Sequence, residues 1–204
     1  MNLSHPDNYS IQSERARALF LTYDQAAMCA RLGLAMTETD IPLRFLGEAC
    51  RVRRADGRVL RPDGSEAGFH AVMTIYDALA RTGPTPRLAG TFVPTAALHG
   101  IHGTRAVHED LHAAAAARFA GRCEALAAAL AALGGKPWDG PGDVAYTLDV
   151  FDFFPVCVRF WDADEDFPAS LQFLWDAKAL DFLHYETLWY VLAEIIGRLP
   201  ADLP

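Results

Sequence analysis

Cysteine is sparse and unpatterned. Cys29, Cys50, Cys123 and Cys157 are scattered over 204 residues with no C-x-x-C pair, which argues against a disulfide framework or an iron–sulfur site and for reduced thiols in a cytosolic protein. Each is expected to be a small buried apolar residue. No window reaches the roughly 18 consecutive apolar residues of a membrane span, and the opening stretch MNLSHPDNYSIQSERARALF has no basic region followed by an apolar one, so a soluble, cytoplasmic protein with no membrane partner is expected. Nothing matches G-x-G-x-x-G, the P-loop or G-x-S-x-G, which removes support for nucleotide binding and serine hydrolysis. Positive charge is in deficit: Lys+Arg 18 against Asp+Glu 26 gives a formal net charge of -8. That balance repels phosphate backbones and excludes nucleic acid as the expected partner, the short RVRRADGR cluster reading as the solvated face of a hairpin strand.

What remains is ample apolar material, 51% of the residues, enough to bury a core in one domain. Residues 1–9 read as a loose tail and 10–204 as the domain. From Ser10 to Gly33 the sequence favours a helix with Leu19, Phe20, Tyr23, Ala27 and Ala30 on one face. Alternating residues around Asp56-Gly57 predict a hairpin, and GFHAVMTIYDALARTG predicts a second helix closed by Gly83. RLAGTFVPTAAL reads as a short strand and loop. The alanine-rich stretch from about Thr104 to Leu133 predicts the longest helix, stopped by Gly134-Gly135. VAYTLDVFDFFPVCVRFW and LQFLW predict strands, and Asp176 to Leu199 carries one apolar helix face. Helices at both ends with hairpins between them point to an α+β domain, antiparallel hairpins packed against several helices, one of them long and alanine-rich.

Residues 98–112, LHGIHGTRAVHEDLH, hold four of the seven histidines, and His108-Glu109-Asp110-Leu111-His112 fits H-E-x-x-H. Two histidines four apart stack one turn over the other, where they can share one metal ion. The same stripe runs on through Ala115, Phe119, Cys123, Leu126, Leu130 and Leu133, so the imidazoles are expected to point inward. A buried imidazole needs either a hydrogen-bond partner or a metal. A zinc site needs a third protein ligand, for which His99 and His102 are the near candidates. In a zinc hydrolase Glu109 would be the general base, but alanines follow His112 where a protease supplies its next ligand. Imidazole serves zinc, iron and haem iron alike.

Two further clusters stand out. WDADEDFP alternates Asp162, Asp164 and Asp166 like the start of a calcium loop, yet Phe167 replaces the required glycine and Phe173 the bidentate glutamate, which excludes an EF-hand. It reads as an acidic hairpin turn with Phe167 tucked back onto the core, or else as a divalent-cation site or a contact for a protein partner through residues 162–168. The last third is crowded with aromatics. These serve as core, or wall an apolar pocket for a flat cofactor with Trp161 and Trp189 as rings and His184 or Glu186 as the polar group.

Gly142-Asp143, Phe154-Pro155, Trp161 followed by Asp164-Glu165-Asp166-Phe167-Pro168, then Asp176 and a helix opening near Glu186 together resemble a prokaryotic family catalogued as domain of unknown function 3786. The resemblance is closest over the last third of the chain. Members occur largely in anaerobes, some fused to an iron–sulfur domain of the kind that accompanies corrinoid proteins, and no such cysteine-rich domain occurs here. The resemblance implies a small cytosolic domain near metal or tetrapyrrole metabolism. Three functions follow, in order: a binding protein for a metal ion, zinc or iron, or for a metallo-tetrapyrrole; a zinc hydrolase; and a noncatalytic protein-interaction module.

Overall fold

A computed structural model of the chain describes residues 8–98 and 109–200, with the side chains of residues 109 and 110 outside that description. The elements are α1 (Asn8–Phe20), α2 (Gln25–Leu32), β1 (Asp40–Phe45), β2 (Glu48–Arg53), β3 (Val59–Leu60), α3 (Phe69–Arg81), β4 (Phe92–Pro94), α4 (Glu109–Phe119), α5 (Cys123–Ala132), β5 (Lys136–Pro137), β6 (Val144–Phe151), β7 (Phe154–Trp161), β8 (Ser170–Asp176) and α6 (Tyr185–Arg198), with single 3-10 turns after β4 and β8. The strands form a three-stranded sheet, β1-β2-β3, and a five-stranded sheet, β4-β8-β7-β6-β5. All strand pairings are antiparallel, and the architecture is α+β.

Turn chemistry sets the small sheet. Phe45 pairs with Glu48, so β1 and β2 are joined by two residues, Leu46 and Gly47, with φ of 49° and 77°. A two-residue hairpin demands that left-handed pair, and Leu46 tolerates it because its side chain is buried and its N–H donates to the Val150 carbonyl at 3.0 Å. The second hairpin turns at Asp56-Gly57 as the sequence predicts, the Asp56 carboxylate accepting the Arg58 N–H at 3.1 Å and the Arg53 guanidinium.

In the large sheet, register puts Val144, Tyr146 and Leu148 of β6, Val156, Val158 and Phe160 of β7, and Leu171, Phe173 and Trp175 of β8 on one face, since directly paired residues share a side. α4 packs against β8 and α5 against β6, and they cover that face. The opposite face carries Thr147, Arg159, Trp161 and Gln172, all half-buried. α3 packs on α6, and α1 lies on α3.

Three helices differ from the sequence reading. The 10–33 stretch is two helices because Asp24 caps α2, its side chain accepting the Ala27 N–H; an N-cap carboxylate starts a new helix where chain direction changes. Of the predicted apolar face only Phe20 is buried in α1, Leu19 and Tyr23 being 53% and 42% exposed. The alanine-rich stretch is likewise α4 and α5, broken at Gly121, whose φ is +71° and whose N–H donates to Asp162 Oδ1 at 2.7 Å instead of continuing the helical ladder. Finally, β8 runs through Asp176, and α6 begins only at Tyr185. The intervening chain is tied to α3 by Thr82 Oγ1 donating to the Phe182 carbonyl at 3.2 Å and Gly83 N–H to that of Asp181 at 2.8 Å.

Candidate functional site

His99, His102 and His108 lie outside the described residues, as does the side chain of Glu109. His112 is described. It sits in the first turns of α4 on the face that carries buried Ala115, Ala116 and Phe119, as i, i+3, i+4 and i+7 spacing requires. Its ring lies 5.3 Å from that of Phe173 on β8, tilted by 44°, and its Nε2 is shielded from solvent. The inward direction expected of the stripe therefore holds for His112. Among the described residues no group of three His, Cys, Asp or Glu converges as a metal-ligand set.

The acidic turn is more structured than a solvated loop. Asp143 Oδ2 accepts the Asp162 N–H at 2.7 Å, and Asp162 Oδ1 in turn accepts Gly121 N–H. That backbone donor holds the Asp162 carboxyl below the usual carboxylate range. Cys123, 3.6 Å from Asp162 Oδ2, has its thiol pushed up, by burial first and then by that carboxylate. Asp164 Oδ1 accepts the N–H groups of Asp166 and Phe167 at 2.9 and 2.7 Å. Phe167 does not tuck back: it is 70% exposed, because the Asp164-anchored turn directs the chain away from the sheet.

A groove of about 300 Å3 lies where α1 crosses α3 and the start of α6. His184 and Glu186 line it, as does Tyr190. Trp161 and Trp189 do not join them. Trp161 ends β7, under the Arg159 guanidinium at 5.0 Å, and Trp189 packs partly buried against the core. Trp161 belongs to the sheet, and Trp189, though on α6 with Glu186, packs toward the core. The opposite walls, absent from the sequence reading, come from Leu19, Phe20, Tyr23, Met73, Tyr76 and Asp77. Asp77 Oδ2 accepts the His184 backbone N–H at 2.6 Å, fixing the α6 N-terminus beside α3. A lone carboxylate in the apolar run AVMTIYDALA was the available signal for Asp77.

The family model for a domain of unknown function (DUF3786) matches residues 24–198. The chain belongs to that family. The matched range begins after α1 and takes in the groove's α3 and α6 walls, the acidic turn and the histidine segment. No curated protein and no solved structure gives a significant match to the chain.

Proposed function

We propose that the protein is a cytoplasmic binding protein for a transition metal ion, zinc or iron, or for a metallo-tetrapyrrole, with His108 and His112 as the leading ligands and His99 or His102 in support. The supporting observation is the placement of His112: an imidazole on the inner face of α4, its ring against Phe173 and its Nε2 away from water. A water-excluded imidazole is a good donor to a borderline metal, and the residue four positions before it in sequence is a second histidine. Elemental analysis of the purified protein with its visible absorption spectrum tests this. A stoichiometric metal without colour is expected for zinc, a Soret-like or corrinoid band for a tetrapyrrole. His108→Ala and His112→Ala are each expected to cut the bound metal at least tenfold, and unchanged content in both would end the proposal. Retained zinc with loss of hydrolytic turnover in Glu109→Gln would instead place the protein among zinc hydrolases, where Glu109 acts as base and not as ligand.

The exposure of Phe167 supports a second reading, a noncatalytic interaction module. A large ring standing free among Asp164, Glu165 and Asp166 is an anchor suited to a partner with an apolar pocket rimmed by basic residues. Absence of both metal and chromophore would put this reading first.

A further inference from the structure

The groove between α1, α3 and α6 does not include His112 in its lining and has its own chemistry. At about 300 Å3 it is at the small end of ligand pockets, which run from roughly 300 to 1,000 Å3, and suits one or two fused rings with a short side chain. Phe20, Tyr23, Tyr76 and Tyr190 line it, but Phe20 and Tyr76 are buried, at 1% and 5% exposure, so the accessible ring surface is that of Tyr23 and Tyr190. The Phe20 and Tyr76 rings stack at 5.2 Å, and the Tyr76 hydroxyl donates to the Gly57 carbonyl at 2.6 Å, so these two pack against each other and the protein body and leave Tyr23 and Tyr190 to meet a ligand.

The charged lining is two carboxylates against one guanidinium. Arg81 Nε lies 3.7 Å from Asp77 Oδ1, with side-chain exposures of 64% and 14%, so the guanidinium reaches outward and Asp77 is held inside by it and by the His184 N–H. Glu186 lines the same groove and has no ion-pair partner among the described residues. Glu186 is exposed at the mouth of the groove, close enough to Tyr190 that its charge adds to burial in raising the Tyr190 hydroxyl. Aromatic faces with an uncompensated carboxylate are the chemistry that recognises an organic ammonium: the ring quadrupoles and the carboxylate attract the cation, and the apolar body fills the space between helices.

We propose that this groove binds a small organic cation with an aromatic body, of the arylalkylamine class, with Glu186 receiving the ammonium and the rings of Tyr23 and Tyr190 flanking it. α1 supplies one wall. Because α1 precedes the range matched by the family model, the complete groove is a property of this chain and not of the matched range alone.

Three indoles that differ only in the charge of the side chain test it on the full-length protein: tryptamine, tryptophol and indole-3-acetate, titrated by calorimetry and by the methyl resonance of Met73 in methionine-labelled protein. Tryptamine is expected to bind saturably and to shift the Met73 resonance, tryptophol to bind at least tenfold more weakly, and indole-3-acetate not to bind. Glu186→Gln, at an exposed position where folding is not at stake, is expected to weaken tryptamine about tenfold and leave tryptophol unchanged. Equal affinities across the three, a tryptamine site that leaves Met73 unmoved, no saturable binding, or an unchanged affinity in Glu186→Gln would each overturn the proposal. Metal content read on the same samples tests the histidine segment separately.

Discussion

Asp176 closes β8 at 1% exposure, a charge buried where charges are rare. Its Oδ1 accepts the N–H groups of Ala89 and Lys178, both at 2.9 Å, and its Oδ2 that of Gly90 at 2.8 Å. This one side chain therefore satisfies a loop that precedes β4 and the turn that follows β8, and three donors would be orphaned without it. Asp176→Ala is expected to cost about 3–5 kcal/mol in a denaturant titration, since each unsatisfied buried donor costs roughly 1–3 kcal/mol and not all three sites stay dry. Asp176→Asn, keeping one acceptor oxygen but turning an amide toward Gly90, is expected to fall between. A loss below about 1 kcal/mol for the alanine variant would show that other acceptors take over. Asp143, Asp164 and Asp176 all belong to the family-like sequence pattern, and all three are occupied in holding backbone. Sequence alone does not separate such carboxylates from ligands, because both roles favour acids beside turns.

At the scale of elements, the strands were legible and the helix boundaries were not. Val, Phe and Tyr alternating through 144–161 and the Asp56-Gly57 turn are local signals, and the sheet follows them. The break between α4 and α5 is decided elsewhere. Alanine propensity favours one long helix, but Asp162, forty-one residues on from Gly121, takes the Gly121 N–H, and the two halves must lie over different strands, β8 and β6. Gly121→Ala is expected to destabilise by about 1 kcal/mol, read as a lower denaturant midpoint at unchanged slope, because φ is positive while a Cβ there meets no atom within 4 Å. A stabilised variant would mean that the helix straightens. For the candidate site, His184 and Glu186 came from sequence and do share a groove. Leu19 and Tyr23 were placed only on one helix face, since an exposed wall and a buried face have the same apolar periodicity, and only tertiary packing tells them apart.

Taken as one molecule, the chain is a family domain with a lighter helix laid on it. α1 buries only Phe20, whereas α3 buries six residues and α6 another six. It lies close over Gly57, where an added Cβ would come within 2.9 Å of Arg17 Cγ and 3.4 Å of Phe20, so the dock is tight at a glycine beneath it. Helices of this length hold little structure by themselves. In native-state hydrogen exchange, amides of Asn8–Phe20 are expected to exchange at least about 100-fold faster than those of α3 and α6, since local opening of α1 forfeits little buried surface. Protection in α1 equal to that of α3 would show that the two open as one unit.

The flanks of the five-stranded sheet carry a different consequence. β4 has three residues and ends at Pro94, and β5 has two, Lys136 and Pro137. Between them runs Leu171–Trp175, an aromatic and aliphatic run without charge or proline, the composition that stacks into fibrils when it stands at an open edge. Proline offers no N–H to an incoming strand, lysine carries a charge that resists stacking, and both margins are too short to template one. Backbone pairing beyond either margin is thus disfavoured, and beside Leu171–Trp175 the cover is partial, since β4 pairs only with Leu174, Trp175 and Asp176 of β8.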